Sequence, residues 1–388
     1  MDREKVAVIA PGALTASSAK HRPAERVLER MVPYAAEQLH IRIFGIADGP
    51  LPSQGWIGSV PFYRLPGGRL YLESLLRHLR KWRPGTVDVH GRPLLACQLK
   101  GRLPLSRVLL TLPSAPVFSP SGHPKACTPH ILESVDGLIV GSERAKAELQ
   151  DHFPALLTPV WVNLPGASLE DDAPRWTPEG ELRRGRRLAE LGWTDRKIVL
   201  LSGCLPPPGE ESRVVSALSD VLGRVPEALL VYLASDFPGS LRESLDRQAN
   251  PALAALDPER IARLPGVPNA PGSVGYSLAD CLVVLPGDDA ASILTRIEAM
   301  AAGVPTLDAS ESRVIEFAAD GLLAGGPEAS LADRIVLLLQ DEELRQVLGR
   351  AGREIVRRHY RWEHAADRWV DIVRAGRAQT ASRRSAKN

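Results

Sequence analysis

The chain has 388 residues, of which 44% are hydrophobic and 24% charged, and its 48 Lys and Arg against 46 Asp and Glu give a formal net charge of +2. That length exceeds what one hydrophobic core ordinarily organises, so two domains are expected. The near-neutral balance supplies no overall drive toward nucleic acid, and no apolar run approaches the roughly 18 residues that a bilayer span requires.

The opening residues pass from Lys5 straight into Val6, Ala7, Val8 and Ile9. This run is too short for the apolar region of a signal peptide and reads as a first strand, with a cytoplasmic location as the expectation. From there, short apolar runs alternate with amphipathic stretches, the rhythm of βαβ units and a mainly parallel sheet. In the first half the expected strands are 6–10, 41–46, 61–65, 87–90, 108–112, 138–141 and 160–163. Three- and four-residue apolar spacing predicts helices over 22–39 and 70–82, and a third, 143–153, begins after Ser142 as its N-cap. Residues 164–178, rich in Pro, Gly and acids and without periodicity, read as a linker. A second α/β unit follows, with strands at 198–202, 229–233, 261–264, 281–285 and 305–307 and a helix over 292–302. From Ser330 onward the pattern is helical to about residue 375. Ligands in open α/β sheets bind beyond the carboxyl ends of the strands, so a site is expected there.

Several features have a plain structural reading. Cys97, Cys127, Cys204 and Cys281 form no C-x-x-C pair, which argues against a zinc site or a disulfide framework and for buried thiols. The basic segment 77–83 closes a helix, where cations suit the C-terminal dipole, so membrane contact is at most peripheral. The acid-free stretch 374–388 reads as a solvated tail. Gly12 has no partners in a G-x-G-x-x-G spacing, which disfavours a dinucleotide dehydrogenase.

Three segments carry a more specific signal. The second half contains Tyr276-Ser-Leu-Ala-Asp-Cys-Leu-Val-Val-Leu-Pro286, then Ile297-Glu-Ala-Met-Ala-Ala-Gly-Val-Pro305, then Tyr360-Arg-Trp362. This order resembles the donor half of family 4 glycosyltransferases. In the first half, Val89-His-Gly-Arg-Pro93, Val140-Gly-Ser-Glu143 and Ala173-Pro-Arg-Trp176 are similar to the bacterial spore-coat glycosyltransferase subgroup. The resemblance implies the α/β GT-B fold, two Rossmann-like domains facing across a cleft. It implies an acceptor-side domain over 1–165, a linker at 166–178, a donor-side domain over 179–360, and a segment 361–388 holding a cross-over helix and the basic tail. It also implies transfer of a hexose from a nucleoside-diphosphate sugar to a saccharide or surface-associated acceptor, with retention, without a metal and without any other cofactor.

The family stabilises the departing diphosphate with an Arg and a Lys, offers a helix N-terminus to phosphate, and holds sugar and ribose with two carboxylates eight positions apart. Glu298 matches the ribose-side glutamate, whereas Ala290 stands eight residues earlier. Asp288 and Asp289 lie just upstream, and Ser292 follows at the helix start, as a donor-binding candidate or as an N-cap. Cys204 occupies the arginine position and Gly209 lies near the lysine position. One charge-assisted contact in such a site is worth about 3 kcal/mol, so losing both is a substantial departure. In the first half Pro113 stands where relatives carry a histidine, leaving His90 and His123 as nearby imidazoles. His21 and Arg22 fill the positions of the paired glycines beside the donor phosphates, and Arg22 joins Glu298, Ser292 and Asp289 as a donor-binding candidate.

No catalytic residue is assigned at this point. Two readings stay open: an active transferase, and a catalytically inactive GT-B scaffold that serves as an assembly or regulatory partner. The first implies a nucleotide sugar and a saccharide as ligands; the second implies a protein partner. An epimerase on the same fold is weaker, because the carboxylate and histidine cluster it needs is not evident.

Overall fold

A computed structural model describes residues 3–12, 23–47, 51–112, 128–170, 173–202, 212–233, 256–264, 275–285, 290–309 and 330–385. The chain divides into two compact units, the first comprising Met1–Gly166 together with Trp362–Asn388 and the second Ala167–Arg361.

The first unit is built on β1 (Lys5–Ile9), α1 (Pro23–Ala35), β2 (His40–Ile46), β3 (Gln54–Ile57), β4 (Val60–Leu65), α2 (Leu70–Trp82), β5 (Thr86–His90), α3 (Pro93–Arg102), β6 (Arg107–Leu112), α4 (Pro129–Ser134), β7 (Gly137–Val140), α5 (Glu143–His152) and β8 (Val160–Val162). The strands lie in the order β3-β4-β2-β1-β5-β6-β7-β8. All neighbouring pairs are parallel except the β3–β4 hairpin. Central strands of such a sheet are covered on both faces and read as continuous apolar runs. Accordingly Val6, Ala7, Val8 and Ile9 are fully buried; every residue of β5 is buried too, although Thr86, Asp88 and His90 alternate with its two valines. The chain returns as α11 (Trp362–Ser385), whose Trp369, Val370 and Val373 are buried in this unit.

The second unit contains α6 (Pro178–Leu191), β9 (Lys197–Ser202), α7 (Ser212–Arg224), β10 (Ala228–Leu233), β11 (Ile261–Leu264), β12 (Cys281–Val284), α8 (Ala290–Ala301), β13 (Thr306–Asp308), α9 (Leu331–Gln340) and α10 (Glu342–His359). Its strands run β11-β10-β9-β12-β13, all parallel. One core packs Val199, Val283 and Leu307 beneath Leu218, Ile335 and Leu339, and another packs Leu200 and Leu282 against Tyr276 and Ala299.

Local chemistry explains the helix ends. Ser142 and Thr177 accept from backbone N–H groups three residues on, at 2.8 and 3.1 Å, as N-caps do. Ser330 forms a reciprocal capping box with Asp333, and Asp341 caps α10 through the Leu344 N–H. Gly192 closes α6 in the left-handed conformation at φ 73°, which glycine adopts without Cβ strain.

The two α/β units follow the expected rhythm, with instructive differences. The helix anticipated over 22–39 ends at Ala35, where the Glu37 N–H bonds Tyr34 O only three residues back and the last turn tightens. The short strand β3 and the helices α3 and α4 lacked a strong periodic signature. Residues anticipated as a linker are fastened to the second unit: Ala167 N–H donates to Tyr360 O at 2.8 Å and Arg353 Nη2 to Leu169 O at 2.7 Å. The basic segment 77–83 is the end of α2, with Leu79 and Trp82 in the core and Arg42 stacked 4.6 Å above the Trp82 ring. Among the described residues no helix is long and apolar enough to cross a membrane.

Candidate functional site

Helix α8 leaves the carboxyl end of β12 after five intervening residues, so its N-terminus lies at the edge of the second sheet where parallel α/β folds bind ligands. Its first turns carry unsatisfied N–H groups and a partial positive charge suited to an anion. Ser292 is the third residue of this helix, with its side chain outside the described residues. Asp288, Asp289 and Arg22 also fall outside them, as do His21, Pro113, His123, Cys127, Cys204 and Gly209.

Glu298 projects from the second half of α8 and is partly exposed. The buried phenol of Tyr276 donates to its Oε2 at 3.0 Å. Tyr276 begins the short 3-10 turn Tyr276–Leu278 that leads into β12. The signature carboxylate is therefore oriented by a group from another element and is still accessible. Two turns of one helix thus present a backbone anion site and a carboxylate able to accept hydroxyl hydrogens. A buried cation accompanies them: Arg296 reaches Asp308, the last residue of β13, at 3.4 Å. Neither Arg296 nor Asp308 was singled out by the sequence pattern, because a charged pair twelve positions apart across a helix and a strand has no periodic signal.

A second charged group lies at the opposite, amino end of the strands. Asp280, 1% exposed, accepts from Arg175 at 2.7 Å, from Arg184 at 3.1 Å and from the Ile198 N–H at 2.7 Å. Arg345 lies 3.6 Å away and also donates to the last carbonyls of α9, Leu338 and Leu339. Burial pushes the Asp280 carboxyl up, but Arg175, Arg184 and the Ile198 N–H outweigh it and hold it below the usual carboxylate range. This cluster ties the segment before α6, α6 itself, α10 and two strand starts together, a structural clamp. Next to it, burial and the Asp280 charge push the Cys281 thiol far up, leaving it protonated and inert.

In the first unit, His90 ends β5 at the carboxyl edge, 5% exposed, with Nε2 3.2 Å from Asp88 Oδ2. Asp88 is fully buried and also accepts from Thr111 at 2.7 Å and from the Trp369 indole at 2.8 Å. Burial raises the Asp88 carboxyl, and His90, Thr111 and Trp369 together bring it below its ordinary value. His90 thereby serves in a buried network that docks α11. Among the described residues no three His, Cys, Asp or Glu side chains converge on a point able to hold a metal.

Comparison with solved proteins identifies the fold. The chain aligns over 97% of its length with all of a sucrose-phosphate synthase from Thermosynechococcus elongatus at TM-score 0.70 and 20% identity. It aligns over 96% of its length with all of HepE from Anabaena, solved with UDP and glucose, at TM-score 0.65 and 11% identity. Two parallel-sheet units with a C-terminal helix returned to the first unit are the GT-B fold.

Residues 289–371, which contain α8 and Glu298, match the family described as Glycosyl transferase-like. Spore coat protein SA of Bacillus subtilis is 25% identical over 378 residues, 96% of this chain and 100% of that protein. The chain thus has the GT-B fold and is similar along nearly its whole length to a bacterial spore-coat protein, with a glycosyltransferase-like segment around α8.

Proposed function

We propose that the second unit binds a nucleoside-diphosphate sugar along α8, and that the chain transfers the hexose to a saccharide or surface-associated acceptor with retention and without a metal. The observation carrying this reading is the Tyr276–Glu298 pair. A carboxylate held at one oxygen by a buried phenol is pre-oriented, so accepting ribose hydroxyls costs little further ordering. The helix start of α8 is the complementary diphosphate-binding element, with Ser292, Asp289 and Arg22 as the additional donor-side candidates. The HepE neighbour solved with UDP and glucose supports a nucleotide sugar as the ligand class.

The chemistry needs charge stabilisation of the leaving diphosphate, and here the sequence favours a second reading. Cys204, Gly209 and Ala290 stand where the family resemblance calls for two cations and a carboxylate. A chain that binds nucleotide through α8 and turns over slowly, or that acts as a scaffold for a true transferase, follows from those replacements. Calorimetric titration with UDP, GDP, ADP and dTDP and their sugar conjugates, followed by a donor-hydrolysis assay, separates the two. Micromolar binding with sugar release supports the transferase. No binding by folded protein leaves the scaffold.

A further inference from the structure

At the carboxyl edge of the first sheet, between the starts of α2 and α3, lies a groove of about 360 Å³ lined by Gly68, Tyr71, Leu72, Arg92, Leu94 and Leu95 among others. Its volume falls in the range of small-molecule sites. Neither adjoining helix has a side-chain cap: Arg69 and Arg92 occupy the N-cap positions of α2 and α3 without a capping hydrogen bond, and Pro93 opens α3. Two helix N-termini therefore meet the groove with first-turn N–H groups unanswered by a capping side chain.

The side chains add an independent sign of a missing partner. Tyr71 is 3% exposed, and its hydroxyl is buried with no hydrogen-bond partner. Arg92 stacks on the ring face of Tyr71, its guanidinium carbon 4.4 Å from the ring centroid, and its Nη1 is likewise buried and unpartnered. Buried donors left unmade cost about 1–3 kcal/mol each, so a pair of them at the base of a groove is where a ligand gains most. Burial pushes the Tyr71 phenol up against the opposing pull of Arg92, keeping it a neutral donor at physiological pH. Among the described residues no carboxylate lines the groove, and Leu94, 55% exposed, forms an apolar wall at its mouth.

We propose that this groove binds a phosphomonoester with an apolar body, its phosphate taken by Arg92, Tyr71 and the start of α3 and its apolar part lying along Leu72, Leu94 and Leu95. A guanidinium, a phenol and helix N–H groups all donate, so the complementary head group accepts hydrogen bonds only and carries negative charge. The leucines exclude bare phosphate as the best ligand. Nothing in this proposal depends on nucleotide binding at α8, which is read separately.

The test uses the full chain and n-octyl phosphate below its micelle concentration, with inorganic phosphate and octyl glucoside as head-only and tail-only probes. The expected result is that octyl phosphate binds at least tenfold more tightly than either. Arg92→Gln should weaken it tenfold or more and Tyr71→Phe about threefold, with nucleotide titrations unchanged. Leu94→Asp, at an exposed position that does not threaten folding, should abolish it. Co-flotation with phosphatidate-containing vesicles distinguishes the source: loss of flotation in the same variants marks a lipid head group, and calorimetric binding without flotation marks a free phosphomonoester. Equal affinity for all three probes, or octyl phosphate binding unaffected by Arg92→Gln and Leu94→Asp in folded protein, overturns the proposal.

Discussion

The indole Nε1 of Trp369 donates a 2.8 Å hydrogen bond to the fully buried Oδ2 of Asp88, joining two residues 281 positions apart. The carboxylate already accepts from Thr111 and lies against His90, so Trp369 completes its set of donors. Trp369→Phe keeps most of the volume and removes that donor, leaving a buried charge short of a partner. The expected loss is about 1–3 kcal/mol in the unfolding transition of the first unit, measured by urea titration. An unchanged transition midpoint would show that Asp88 is satisfied without the indole.

Asp280 makes the corresponding prediction for the second unit. Asp280→Asn leaves Arg175, Arg184 and Arg345 facing one another around a neutral amide, and breaking a buried ion pair in this way costs about 3–5 kcal/mol. The folded carboxyl lies below its unfolded value, so its stabilisation is fully present above about pH 4 and is lost as pH falls through the folded value. The stability difference between the native chain and the variant should therefore shrink in acid. A gap that stays constant from pH 7 to pH 3 contradicts the ionised cluster.

At the candidate donor site, Glu298→Gln should weaken nucleotide binding about tenfold, the effect of losing charge-assisted acceptance. Tyr276→Phe removes only the orienting bond at 3.0 Å and should cost about threefold, chiefly in affinity. The two changes should combine to less than their product, because both act through one carboxylate. Full multiplicativity in a double-mutant cycle argues that Tyr276 does not act through Glu298.

Gly349 tests the packing of α10 on the turn after α8. A Cβ there would run into the backbone carbonyl of Gly303, itself held at φ 79° beneath the Trp176 ring. Gly349→Ala should destabilise the second unit by about 1–3 kcal/mol despite the better helix propensity of alanine. A more stable variant in thermal melts would show that the turn relaxes freely.

What the sequence made legible was mostly local. Parallel strands such as β1 and β12 announce themselves as unbroken apolar runs, and Ser142 and Ser330 mark helix starts through their own side chains. Glu298 was legible through its surrounding motif rather than through periodicity. Its orientation by Tyr276 was not, since hydrogen bonds across elements leave no spacing pattern. The same holds for Arg345 at Asp280 and Trp369 at Asp88. Strand β3 escaped notice because four residues with Trp56 72% exposed offer neither a continuous apolar run nor a clear alternation. Arg22 and Asp289 stand outside the described residues, so the donor-side set beyond α8 rests on the motif alone.

The place of α11 has a consequence for how the chain acquires its structure during synthesis. Asp88 leaves the ribosome early, but Trp369 follows only after the whole of Ala167–Arg361 has been made. At ~5–20 residues per second that interval lasts roughly ten seconds or more. Throughout it the nascent first unit lacks the helix that covers Asp88 and takes the Arg107 guanidinium through Ile372 O and Val373 O. The later-made second unit, contiguous in sequence, has every one of its elements before α11 appears. The second unit can therefore reach its native state first, and the first-made half of the chain is the last to be finished.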